Sequence, residues 1–262
     1  MVAVSPQYAS KILKAGALLP DTKILLAHWD HSASTTNNLN RARNENLFGK
    51  ASRSRIEDIL RIFHQRYLYD EEVRSALTQL VDNRCSVDTL DTILYFFAAT
   101  ADPLLRDTVT EFLYPRKTNG RNDVYVDDLQ STLNKWVKEG KTDKPWSAST
   151  TIRVARGLLA TLRDFGILEG ANNKTIAPAY LPTPAFSFIA HYLYHKNRST
   201  KQLLEDDSWR LFFLSTDAVE RFFLEAHQLG LLDYHAAGPV VRIEFPAKSL
   251  KDYADVIASK QI

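Results

Sequence analysis

Apolar residues recur every three or four positions along most of this chain, the spacing that lines one face of an α-helix. The pattern predicts helices over Pro6–Ala15, Asp21–Asp30, Thr36–Leu47, Ser54–Tyr69, Glu71–Asn83 and Val87–Ala99. It continues over Pro103–Tyr114, Val126–Lys138, Thr150–Phe165, Ala185–His195, Lys201–Phe213, Thr216–Leu229 and Ser249–Ser259. Ser54-Arg55-Ile56-Glu57 has the spacing of a capping box, in which the Ser and Glu side chains each accept from an otherwise unpaired amide. Strand patterns are few and short. "DVYV" (Asp123–Val126) is one. "ILEGANNKTIAPAY" (167–180) reads as a hairpin about Asn-Asn, and "LLDYHAAGPVVRIEF" (231–245) as another about Ala-Gly-Pro. Pro178 and Pro239 place both at a sheet edge. "PRKTNGRND" (Pro115–Asp123) and "KEGKTDKP" (Lys138–Pro145) read as polar connectors.

One phrase is written twice. "TIRVARGLLATLRDFGILEG" (Thr151–Gly170) and "STDAVERFFLEAHQLGLLDY" (Ser215–Tyr234) share a hydroxyl start, a helical apolar stripe and an exit through Gly and two aliphatic residues. Each follows two further helices and precedes a hairpin, the order of a winged helix-turn-helix. Glycine suits the exit, because a left-handed residue there ends the helix and turns the chain toward a strand. An ordinary amphipathic helix packed before a hairpin ends the same way. The expected architecture is mainly α. It comprises a helical N-terminal domain with a helix-turn-helix (1–102), then two winged-helix-like units with short β-hairpins (103–182 and 183–262).

The exposed faces separate the two copies. At about 100° per residue, Ile152, Val154, Ala155, Leu158, Leu159, Leu162 and Phe165 share one arc. Ser149, Thr150, Arg153, Arg156, Gly157, Ala160, Arg163 and Asp164 share the other. Arginine bonds phosphate and guanine bidentately, small residues admit a close backbone, and free amides at a helix start favour an anion. Lys174 sits with Asn172 and Asn173 at the expected wing tip. In the second copy the outer arc holds Asp217, Glu220, Arg221, Leu224, Glu225, His227 and Gln228. Its acids would repel a phosphate backbone, so Asp217, Glu220 and Glu225 suit a basic partner surface or packing within the protein. For both arcs the alternative is a plain solvated surface.

A basic stretch lies nearer the N-terminus. Residues 38–68 hold Arg41, Arg43, Lys50, Arg53, Arg55, Arg61 and Arg66 against Glu45, Glu57 and Asp58, a local net of +4. Gly49-Lys50 separates two helical patterns, a further possible helix-turn-helix. Arg53 and Arg55 fall at the start of its second helix, where they oppose the helix dipole unless an anion binds. Together with Arg41, Arg43 and Lys50 they complete the candidate DNA contacts. A solvated charged helix is again the alternative.

Composition narrows the chemistry. The chain has 262 residues, 45% hydrophobic, with a formal net charge of +2, so nucleic-acid affinity must come from local patches. Cys85 is the single cysteine, which excludes an internal disulfide framework and fits a reducing compartment. "HYLYH" (His191, His195) has metal-ligand spacing but no cysteine and no adjacent general base. Asp127-Asp128 and Asp206-Asp207 read as helix-end acids, and the four tryptophans as core or interface anchors. No phosphate loop or nucleophile motif is present. The expectation is no cofactor, no metal and no catalysis. The N-terminus lacks a signal-peptide pattern, and "TILYFFAATA" (Thr92–Ala101) is about half of a roughly 20-residue membrane span. A cytoplasmic, soluble protein is expected.

"SPQYASKILKAGALLPDTKILLAHW", followed by "ENLFGKASRSRIEDILRIFHQRYL" and the late "FGILEG", resembles the BrxA proteins of bacteriophage-exclusion (BREX) defence systems. The resemblance implies a small, mainly helical protein that binds double-stranded DNA through helix-turn-helix elements and has no enzymatic activity. It also implies other BREX subunits as partners: a methyltransferase, an ATPase and a phosphatase-like protein. A monomer in isolation is expected, because no long amphipathic helix offers the dimerisation surface of a palindrome-reading regulator. The rival reading is an assembly subunit of the defence complex that does not itself bind DNA.

Overall fold

The structure, a computed structural model, describes residues 8–10, 12–196, 199–238 and 240–260. The predicted helix start at Pro6 and the edge position of Pro239 lie outside them. The helices are α1 (Ile12–Ala15), α2 (Leu19–Ala27), α3 (Thr35–Asn44), α4 (Arg53–Tyr67), α5 (Glu71–Asp82), α6 (Val87–Ala101) and α7 (Pro103–Asp107). They continue as α8 (Tyr114–Thr118), α9 (Val126–Lys138), α10 (Ala148–Asp164), α11 (Thr183–Tyr194), α12 (Thr200–Leu204), α13 (Thr216–Gln228) and α14 (Leu250–Ser259). The strands are β1 (Asp123–Val124), β2 (Leu168–Glu169), β3 (Lys174–Ile176), β4 (Asp233–Ala237) and β5 (Val240–Glu244). The fold is mainly helical with small antiparallel sheets, as the periodicity predicts.

The chain folds into two compact units, Met1–Leu18 with Ala98–Ala179 and Leu19–Phe97 with Tyr180–Ile262. The second and third segments read from the sequence thus fall mainly in different units, and the first is shared between them. In the first unit α7 runs through a π-helical turn (Thr108–Leu113) straight into α8. The sequence reads Pro115 as the start of a connector; the helix instead passes it. Proline lacks an amide and crowds the preceding turn, and the wide π turn just before it relieves both conflicts. Arg116 then ties α8 to the next two elements, donating to the Asp123 carbonyl and to Asp128 at 2.8 Å. Strand β3 lies between β1 and β2, with Val124 opposite Lys174 and Glu169 opposite Thr175. Helix α10 packs on α9, α1 and β2, burying Val154, Ala155, Leu158, Leu159 and Leu162 beside Leu129, Leu133 and Trp136.

The second unit packs α5 against α2 and α14, and α11 against α13 and α14. Its core is aromatic, with Phe186 stacked on Trp209 at 4.8 Å and meeting Phe223 edge-on at 4.9 Å. Buried aromatic groups keep their polar tips bonded: Trp209 donates to the Leu203 carbonyl, Tyr95 to Leu211 and Tyr253 to Leu231. The helix predicted over Lys201–Phe213 is broken. Asp206 caps a new 3-10 turn (Asp207–Phe212) by accepting from the Ser208 amide, and Phe213 ends it in a left-handed conformation at φ 58°. Strands β4 and β5 pair from Asp233 with Glu244 to Ala237 with Val240.

His191 is buried in this unit rather than presented to a ligand. Its ring stacks on Tyr253 at 4.6 Å and meets His195 and Phe245 edge-on, while Nε2 donates to the Ala247 carbonyl at 3.0 Å. Nδ1 is buried without a hydrogen-bond partner. Burial holds its pKa below the ordinary histidine value, partly opposed by the Ala247 bond. Above about pH 6.5 the residue is neutral both folded and unfolded. Below that, the unfolded chain binds a proton that the folded site resists, so stability falls with pH. Urea midpoints measured from pH 7.5 down to 5.5 are expected to fall more steeply for the native chain than for His191→Phe.

Candidate nucleic-acid interface

The arginine face of α10 is built from its cap outward. Ser147, not Ser149 or Thr150, is the N-cap: its hydroxyl accepts from the Thr150 amide at 3.2 Å. Ser149 and Thr150 therefore lie within the first turn, each with its hydroxyl against that of Ser147. Beyond them Arg153, Arg156 and Arg163 are exposed on one stripe, with Ile152 and Phe165 only half-buried at its margins. The small residue Gly157 serves another purpose than the sequence implies. A Cβ there would lie 3.4 Å from Leu13 Cδ2, so α1 covers that flank of the helix. What stays open is the arc through Arg153 and Arg156.

These arginines are not equivalent. Arg163 donates to its neighbour Asp164 at 2.7 Å. Arg153 and Arg156 have no carboxylate partner among the described residues, so their guanidinium donors face solvent. The turn joining β2 to β3 exposes Ala171, Asn172 and Asn173. Gly170 makes this turn possible: φ is +86°, and a Cβ would sit 2.0 Å from the Asn173 carbonyl oxygen. Lys174 is half-buried, its ammonium folded back onto the Ala171 carbonyl at 2.7 Å.

The basic stretch of the other unit is largely matched internally. Arg41 lies 3.7 Å from Asp30 and also donates to the His28 carbonyl and to Asn38. Arg43 pairs with Glu57 at 2.6 Å, and Lys50 with Asp21 at 2.8 Å. The capping box read at Ser54 is shifted: Ser52 caps α4 by accepting from the Arg55 amide, and Glu57 turns to Arg43 instead. Arg53 stays exposed, without a carboxylate partner among the described residues, while Arg55 is half-buried. On α13, Asp217 and Glu220 are exposed, and Leu224 between the acids is 47% exposed. Glu225 accepts from Thr183 at the start of α11 at 2.5 Å, a contact within the unit.

A cluster that the sequence does not announce holds the α9–α10 connector. Asp107, only 4% exposed, accepts from Tyr8 Oη at 2.5 Å and from Arg106 Nε at 2.9 Å. Lys141, in the connector, lies 3.8 Å from Asp107 and 3.2 Å from Glu111, with its ammonium over the Trp136 ring at 5.1 Å. The Tyr8 amide also donates to the Lys141 carbonyl at 2.9 Å. Burial, with the Asp107 bond second, pushes the Tyr8 pKa far above its usual range, so the phenol stays a donor. Asp107 sits in "LLRDTVTEF" without any motif around it; only the fold shows its partners. Among the described residues no three His, Cys, Asp or Glu side chains converge as a metal site would need, and no helix is long and apolar enough to cross a membrane.

The protein is of the class of mainly helical proteins with small antiparallel sheets and an arginine-bearing helix. A BrxA family model matches residues 6–192, and the chain belongs to the BrxA family. That membership gives it a role in BREX phage defence, with other BREX components as partners. No curated protein matches the chain.

Tyr8→Phe deletes a hydrogen bond to a buried carboxylate, a contact worth about 1.5–3 kcal/mol. Chemical denaturation followed by circular dichroism is expected to show a loss of that size.

Proposed function

We propose that this chain is a non-enzymatic accessory protein of its BREX system, and that its first unit binds double-stranded DNA through α10 and the β2–β3 turn. The observation that carries the reading is the pair Arg153 and Arg156, exposed and without a carboxylate partner among the described residues, whereas Arg41, Arg43, Lys50 and Arg163 are matched. The order of elements supports it: a long helix, β1, two packed helices, then β2 and β3 with β3 central, is that of a winged helix. In that arrangement α10 is the groove-facing helix and the β2–β3 turn is the wing. Arg53 is the remaining candidate in the basic stretch, with Arg55 beside it.

Binding of this kind displaces counterions from the duplex, so its affinity falls with salt. The test is fluorescence anisotropy with a duplex of roughly three helical turns at several salt concentrations. Arg153→Glu with Arg156→Glu removes two charge-assisted contacts and is expected to weaken binding by about 100-fold or more. Native protein that leaves the duplex unbound even at low salt rules the reading out.

The exposed Asp217 and Glu220 with Leu224 favour a second role, docking a basic surface of another BREX component through α13. Charge reversal at Asp217 and Glu220 is expected to leave duplex affinity within about twofold of the native value and to weaken assembly with that component, read by analytical ultracentrifugation of the mixed proteins.

A further inference from the structure

We infer that Tyr125 is a duplex-binding residue, placing its phenol against the sugar–phosphate backbone beside the β2–β3 turn; this rests on the DNA-binding reading above. Three independent observations converge on it. Tyr125 is 56% exposed, the one large apolar side chain so exposed among the described residues of the first unit. The strand register brings it to the right place: Val124 lies opposite Lys174, so Tyr125 leaves the sheet at the end where the turn exposes Asn172 and Asn173.

The third observation is its position in α9. Tyr125 is the N-cap of that helix, at φ −103° and ψ 145°, and makes no side-chain capping bond. Serine or aspartate fills that place, with a capping bond, in α3, α4, α5, α7, α10, α12, α13 and α14. A tyrosine there gives up helix stability that a short polar side chain would supply, and such departures from local preference gather at functional positions. A phenol also suits the surroundings. Asp128 is matched by Arg116, but Asp127 is exposed nearby, and a neutral donor with an apolar ring can meet a phosphate and its sugar without adding a charge.

Tyr125→Ser is the deciding variant, because serine is a preferred N-cap. Its denaturation midpoint is expected to equal or exceed the native one, while its duplex affinity drops by about tenfold. The phenol displaces no counterion, so the slope of log affinity against log salt stays at the native value. In Arg156→Gln that slope becomes shallower by about 0.9. Native affinity in Tyr125→Ser, beside loss in the Arg153→Glu, Arg156→Glu variant, overturns the role of Tyr125 and leaves the DNA-binding reading intact. A weakened Tyr125→Ser with a shallower salt slope also overturns it, since the residue would then act by displacing the charged groups. Absence of duplex binding by the native chain overturns both.

Discussion

The first unit is organised around one buried negative charge. Asp107 has almost no solvent to stabilise it, so the chain must bring donors to it, and two of the three come from places far away in sequence. Tyr8 comes from the N-terminal segment, Arg106 from the same helix and Lys141 from the connector between α9 and α10. Satisfying the carboxylate therefore fixes where the N-terminal segment runs and how the connector leaves α9. With those two set, α1 is held against the flank of α10 at Gly157, and the arc left open is the one bearing Arg153 and Arg156. Replacing such a cluster by apolar residues need not weaken a fold. What the cluster supplies here is a single arrangement of segments that hydrophobic burial alone would leave loosely specified.

How much of this was legible in the sequence depends on the range of the interaction concerned. Helix α9 matches its predicted bounds, Val126–Lys138, because its apolar stripe is regular and turn residues flank it on both sides. Elements decided by one or two local contacts shifted. The π turn carries a helix past Pro115, Asp206 divides a predicted helix in two, the cap of α4 moved two residues earlier to Ser52, and α10 starts at Ala148 rather than Thr150. Charge partners were the least legible. Arg41, Arg43 and Lys50 look like Arg153 and Arg156 in a list of basic residues, yet Asp30, Glu57 and Asp21 reach them from positions 11 to 29 residues distant. Periodicity says which face a residue occupies; it does not say which acid the fold delivers to that face.

The repeated phrase shows the same limit from the other side. Both copies form a capped helix followed by a hairpin, α10 with β2–β3 and α13 with β4–β5. Their surroundings differ: β1 adds a third strand to the first sheet, while the second remains a pair among the described residues. The outer faces diverge as well, guanidinium groups on one and carboxylates on the other. Since a scaffold does not determine its use, this chemistry is what separates the proposed duplex contact from the proposed protein contact.

The near-neutral balance of the chain, +2 over 262 residues, then acquires a consequence. Long-range attraction to DNA scales with net charge and is screened within about 10 Å at ordinary salt, so it contributes little here. In the proposed reading affinity comes from a few short-range contacts, Arg153 and Arg156 foremost, and counterion release is limited to the phosphates they meet. Such a surface binds modestly by itself. It gains strength when another component holds it near the duplex, because a tethered contact acts at high effective concentration. An acidic face on the other unit, suited to protein rather than phosphate, is the feature a subunit working in that way requires.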